Sequence, residues 1–293
     1  MIKLPKPGSY VLAVSGGIDS VCLLDMMSSL KGYDLTVAHF DHGIRPESYQ
    51  DLEFVKELAG TKNIRFVSAK VNLGPNASEA VARARRYDFL NSVKDQVNAV
   101  AIITAHHQDD RLETMVLNLI RGTGRLGLSP MIESVNLKRP LLDVTKEELI
   151  SYARQHKLSW REDNTNIEER YLRNYIRLNI LSRISLEDKK QFIKLMDHQA
   201  KLNQQIDEIL GSLLKNQGRT LDRGLIRSLP YIESKELVAA WLRANQLIGF
   251  SKKTIERLTI AAKTKPSGAR LDVYNRAVVT LMKDSLALNS MER

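Results

Sequence analysis

The chain has 293 residues, with 44 Lys and Arg against 34 Asp and Glu and a net charge of +10. That length supports one large or two modest domains. No run of about 18 uncharged apolar residues marks a membrane span, and the first seven residues hold no apolar signal core, so a cytoplasmic protein is expected. The one cysteine, Cys22, rules out a disulfide framework or a Cys-x-x-Cys metal or redox site within this chain, while the charge favours a polyanionic partner, nucleic acid foremost.

Apolar strand patterns at 11–14, 35–40, 64–67 and 100–104 alternate with helical patterns at 21–30, 49–58 and 78–93. The alternation predicts right-handed crossovers and an α/β fold with a doubly wound, mostly parallel sheet. A ligand then sits beyond the carboxyl ends of the strands, where the turn after the first strand, His39-Phe40-Asp41-His42 and His106-His107 converge. A long helical stretch, 186–215, leads to a smaller α+β unit. That unit has helical patterns at 234–245 and 251–262, and an alternation at 269–288 that reads as a hairpin.

The first strand runs into Ser15-Gly16-Gly17-Ile18-Asp19-Ser20. Both glycines can take positive φ, and the N–H groups of the turn and of the following helix N-terminus form an anion cradle. Ser20 is expected to cap the helix. The block lacks the lysine that a Walker A loop needs. It resembles the pyrophosphate loop of N-type ATP pyrophosphatases, which cleave ATP between the α- and β-phosphates; an ordinary βα turn is the competing reading.

A second constellation is Thr104-Ala105-His106-His107-Gln108-Asp109-Asp110-Arg111-Leu112-Glu113-Thr114. His106, Asp109, Asp110 and Glu113 are spaced i, i+3, i+4 and i+7, which predicts one helical face. Leu112, Val116 and Leu119 form a separate apolar stripe, so the acidic face need not be buried. The carboxylates can hold Mg²⁺, accept a proton or bind a cationic substrate; a solvated helix start and a hydrolytic metal centre are the other readings. Gly122-Thr123-Gly124-Arg125-Leu126-Gly127 matches a dinucleotide fingerprint by letters. It follows a helical pattern rather than a strand, so it reads as a flexible cationic turn.

These blocks, in this order, resemble the tRNA(Ile)-lysidine synthetase family. The resemblance includes Val37 to Arg45, Glu79 to Tyr87, Ala105-His106-His107-Gln108-Asp109-Asp110, Leu117 to Gly124, Arg139-Pro140-Leu141-Leu142, and Trp160 to Arg177 with Asp163, Asn166, Arg173 and Asn174. It implies an N-type ATP pyrophosphatase catalytic domain over 1–185, a helical linker over 186–216 and a small tRNA-binding domain over 217–293. The implied partners are a tRNA(Ile) with a CAU anticodon, free L-lysine and ATP with Mg²⁺; a homodimer is also allowed for. The implied reaction adenylates the wobble cytidine at O2, then displaces AMP with the lysine amine, so that AUA is read as isoleucine.

On this reading Ser15, Gly16, Gly17, Ile18, Asp19 and Ser20 hold the phosphates, with Asp19 as a candidate Mg²⁺ residue. Ala38 and His39 lie where the nucleoside docks. His106, Asp109, Asp110 and Glu113 join Arg86 and Arg177 in catalysis, while Arg86, Asp110, Glu113, Arg173 and Arg177 bind substrate. Arg243, Lys252, Lys253, Arg257, Lys263, Lys265 and Arg270 are expected to touch tRNA phosphates. A tRNA thiolase of the same superfamily needs a persulfide cysteine that Cys22 on a core helix does not supply. Amide-forming relatives need a glutamine-hydrolysing domain, and a binding module without catalysis has no use for the acidic cluster.

Overall fold

A computed structural model describes residues 2–43, 48–72, 79–162, 172–247, 249–273 and 277–290. Arg45, Asp163 and Asn166, singled out above, and position 78, where a helical pattern is expected to begin, lie outside the described residues. The chain divides into two compact units, Met1–Ala200 and Lys201–Arg293.

The first unit is built from strands buried on both faces. In β1 (Gly8–Ala13) successive residues Val11 and Leu12 point to opposite faces, and both are fully buried, as a sheet covered on both sides requires. The chain continues through α1 (Ile18–Ser28), β2 (Tyr33–Asp41), α2 (Ser48–Thr61), β3 (Arg65–Lys70), α3 (Glu79–Gln96), β4 (Ala101–Ile103), α4 (Gln108–Ile120), β5 (Leu137–Lys138) and α5 (Lys146–Gln155). The strands pair in parallel in the order β3-β2-β1-β4-β5. This is the doubly wound sheet that the alternation predicts. Growth reverses at β1, so the crevice beyond the carboxyl ends of β1 and β4 is the switch point where such sheets hold ligands.

Leu23, Leu24 and Met27 pack with Leu141, Leu149 and Ala153 in one layer, and Leu90 and Val93 pack on Val11 and Ile102 in another. Cys22 is fully buried, and burial pushes its thiol up to about 12, so it is an inert core residue. Helix α5 goes unpredicted by the apolar pattern, yet its start is well specified. Thr145 Oγ1 accepts from Glu148 N (3.2 Å), and Glu148 Oε2 accepts from Thr145 N (2.7 Å), a capping box.

A short α6 (Leu172–Tyr175) runs straight into a π-helical turn, Ile176–Ile180. Ile176, Leu181, Ile193 and Met196 pack against Leu112 and Met115 of α4. Leu119, grouped with that stripe by spacing, is 52% exposed instead, because the helix ends one residue later and its last turn leaves the core.

The long helix is α7 (Leu186–Leu214), followed by β6 (Thr220–Asp222), α8 (Arg223–Ser228), α9 (Tyr231–Ala244), α10 (Lys252–Thr264), β7 (Arg270–Asp272), β8 (Ala277–Leu281) and β9 (Ser285–Ser290). The expected hairpin is part of a larger antiparallel sheet, ordered β6-β9-β8-β7; three-residue β6 is too short for its alternation to register in sequence. Leu237, Trp241, Leu258 and Val279 form the core of this unit. Lys263 Nζ donates to the Ile226 and Leu229 carbonyls (2.7 and 2.5 Å), and Arg257 donates to the Asp272 carbonyl. These two cations of the expected phosphate-contact set therefore bind carbonyls at the ends of α8 and β7. No helix among the described residues is long and apolar enough to cross a membrane.

Candidate active site

The loop after β1 is assembled by backbone geometry. Val14 N donates to the Ala38 carbonyl (3.0 Å), and buried His39 donates from Nδ1 to the Val14 carbonyl (2.9 Å). Gly16 then takes φ +94°, and a Cβ there would lie 3.3 Å from Val55 Cγ2. Gly16→Ala is therefore expected to cost about 1–2 kcal/mol and to push the loop amides off line. Urea unfolding and a nucleotide titration should both register the change.

Helix α1 starts earlier than its apolar pattern suggests: Gly17 is its N-cap, and Ser20 lies inside the first turn. Ser20 Oγ accepts from Ser15 N and Gly16 N (3.2 Å each) and donates to the Gly17 carbonyl (2.8 Å). Ser20 thus staples the loop rather than capping the helix. Beyond Trp160, Arg161 N donates to the Gly16 carbonyl (2.9 Å), while its side chain binds Asp51 (3.1 Å) and Gln50 (2.7 Å). The first turn of α1 leaves the Ile18 and Asp19 amides at a helix N-terminus, where anions are favoured.

Helix α4 begins at Gln108 with His107 as N-cap. His106 therefore precedes the helix and does not share a face with Asp109, Asp110 and Glu113. Its Nδ1 lies 2.8 Å from Thr104 Oγ1. Burial, reinforced by the nearby Arg139, Arg83 and Arg86 guanidinium groups, pushes its pKa down to about 3, so the ring is neutral.

His107 is shifted in the opposite direction. Its Nε2 lies 3.7 Å from Asp19 and 3.5 Å from Asp110, and its Nδ1 lies 3.6 Å from Asp109. Burial opposes its charge, but the three carboxylates outweigh burial and raise its pKa. The His107 ring thus joins the loop to the acidic helix. Among the described residues no three His, Cys, Asp or Glu side chains form a group able to hold a metal.

The three carboxylates of α4 have different surroundings. Asp109 accepts from Lys146 N (3.0 Å) and lies 3.6 Å from Lys189 Nζ. Burial alone would raise its pKa, yet His107, the Lys146 amide and Lys189 hold it down at about 2. The resulting stability is complete above the ordinary value of 3.8 and is lost as pH falls towards 2. Asp109→Asn should remove about 2 kcal/mol at pH 7 and much less at pH 3, as urea titrations at the two pH values would measure.

Asp110 Oδ2 accepts from His107 N (2.9 Å). Among the described residues its other oxygen takes no hydrogen bond. Glu113 is 1% exposed, contrary to the open acidic face expected, and receives Nε and Nη2 of Arg177 at 2.6 and 3.0 Å. Burial raises the Glu113 pKa while the Arg177 guanidinium works against that rise. Arg177 projects from the π-helical turn, and Arg173 on α6 adds positive charge towards Glu113.

Spacing did not single out His107, Lys146 or Lys189. Lys146 stands directly after the Thr145 cap, and its Nζ lies 2.6 Å from Asp19 Oδ1. The Thr-x-x-Glu capping box was the available signal for a helix starting there.

A serine–glycine turn opening a helix at the switch point of a parallel sheet, with an acidic helix start beside it, is the arrangement of a nucleotide-binding α/β domain. Residues 2–184 match the model of the PP-loop domain, and the chain belongs to that family. A tRNA(Ile)-lysidine synthase from Thermus thermophilus is 42% identical over 184 residues, covering 61% of this chain and 36% of that protein. One from Solibacter usitatus is 35% identical over 192 residues, covering 64% and 44%. One from Bacteroides thetaiotaomicron is 35% identical over 237 residues, covering 75% and 55%. The chain spans about half the length, or less, of these curated relatives.

Proposed function

We propose that this protein is a cytoplasmic ATP-dependent ligase that joins L-lysine to C2 of the wobble cytidine in a tRNA(Ile) with anticodon CAU, releasing AMP and diphosphate. The observation that carries this reading is the His107 ring, within 3.7 Å of both Asp19 on the phosphate loop and Asp110 on the acidic helix. A phosphate cradle next to a carboxylate site for an amine substrate supports adenylation followed by amine attack.

In the first step the cytidine O2 attacks the α-phosphate, and the bond to the bridging oxygen of the β-phosphate breaks. The Ile18 and Asp19 amides, with Ser15, face the charge that develops on the diphosphate. Asp19 is placed to hold Mg²⁺ arriving with ATP, since one carboxylate plus phosphate oxygens suits that ion; when bound, it neutralises triphosphate charge. Ala38 and His39 at the end of β2 flank the nucleoside. Neutral His106 offers a hydrogen bond without adding charge, and Arg86 lies beside it on α3.

In the second step the lysine ε-amine, with a solution pKa near ~10.4, must lose a proton before it attacks. The open oxygen of Asp110 is the acceptor best placed to take it, with Glu113 beside it. Arg173 and Arg177 offer partners for the lysine carboxylate. Asp109, in contact with the His107 ring, the Lys146 N–H and the Lys189 ammonium, acts by holding His107 and Lys146. The smaller unit, with Lys252, Lys253, Lys265 and Arg270, is assigned to the tRNA backbone.

Radiolabelled lysine, ATP, Mg²⁺ and unmodified tRNA(Ile) bearing CAU provide the test. Label confined to that tRNA, with stoichiometric AMP, upholds the reading. AMP without label points to another nucleophile, and no turnover leaves only nucleotide binding.

A further inference from the structure

The phosphate loop contains no cation of its own, and its acidic member, Asp19, is paired with a lysine from a different element. Lys146 Nζ lies 2.6 Å from Asp19 Oδ1, with the lysine side chain 36% and the aspartate 29% exposed. The base of Lys146 is held firmly: it is the first residue of α5, behind the Thr145–Glu148 capping box, and its N–H donates to Asp109 at 3.0 Å. Only the flexible stem and ammonium are left to move. A partly exposed ion pair contributes little to stability, so exchanging this carboxylate for a more highly charged anion is easily done.

We propose that Lys146 is the phosphate-binding cation of this site. On this account its ammonium leaves Asp19 for the β- and γ-phosphates of ATP when the nucleotide enters. It then stays with the diphosphate as the α-phosphate bond breaks and the electron pair passes to the bridging oxygen. Lys146 supplies charge and transfers no proton. It fills the place that lysine holds in a Walker A loop, but from an element more than a hundred residues downstream. The inference rests on the ATP-cleaving reading above and adds to it the group that recognises the leaving diphosphate.

The test uses the full chain and titrates inorganic diphosphate, without Mg²⁺, by calorimetry. Lys146→Met should weaken diphosphate binding at least tenfold, and Lys146→Arg should restore it to within about threefold. Asp19→Asn, which frees the ammonium, should bind metal-free diphosphate at least as tightly as the wild type. If Lys146 merely positioned Asp19, the two neutralising variants would weaken binding together, and the proposal would be overturned. Undiminished binding by a folded Lys146→Met, checked by thermal melting, would overturn it equally. Lysidine formation by the wild type is assayed separately, so loss of the ligase reading and loss of the Lys146 assignment are distinguishable.

Discussion

Replacing Arg177 with methionine is expected to cost the first unit about 3–5 kcal/mol, because it leaves the carboxylate of Glu113 buried without its partner. Glu113 has 2% of its side chain exposed and receives two guanidinium hydrogen bonds. For a unit of this size the loss corresponds to a fall in Tm on the order of 10 °C. Lysine transfer should fall with it. A double variant, Glu113→Leu with Arg177→Met, separates the two effects. It removes charge and partner together, so much of the stability should return while lysine transfer stays absent. Recovery of both would reduce the pair to a structural role.

The second large effect is expected from Asp110→Asn. The amide oxygen of asparagine can still accept the His107 N–H, so the N-cap of α4 and the fold should survive. What disappears is the negative charge facing the incoming amine. ATP binding and AMP-forming adenylation should continue, while lysidine formation drops about 10²–10⁴-fold, the range general-base catalysis contributes. Single-turnover assays with labelled ATP and labelled lysine read the two steps independently. An unchanged lysine step in this variant would move the base to Glu113.

The elements legible in the sequence are those whose apolar runs have a clear period. β1, β2 and the helix between them follow from buried strand runs and a glycine turn, because both faces of that sheet are covered. Helix α5 and strand β6 escape the same reading, one amphipathic over only ten residues and the other three residues long. The site shows the same division. Ser15, Gly16, Gly17, Asp19 and Asp110 stand out because motif spacing reflects local backbone geometry.

What spacing cannot convey is which groups from distant segments neutralise one another. His107 has the same letter as His106, yet its pKa is raised while that of His106 is pushed far down. The difference lies in carboxylates brought by α1 and α4 against guanidinium groups brought by α3 and by Arg139, directly after β5. Ser20 misleads for a related reason: a serine near a helix start suggests a cap, while the positive φ of Gly16 turns its hydroxyl back into the loop.

The π-helical turn at Ile176–Ile180 makes the aim of Arg177 a matter of helix phase. Such a turn holds one residue more than the α-helical turn it replaces, and each residue rotates an α-helix by about 100°. Loss of a single codon within that stretch would let the turn close regularly and rotate the flanking residues out of register with α4. The clamp on Glu113 is therefore one reading-frame-preserving deletion away from being dismantled, with no substitution at either of its two residues.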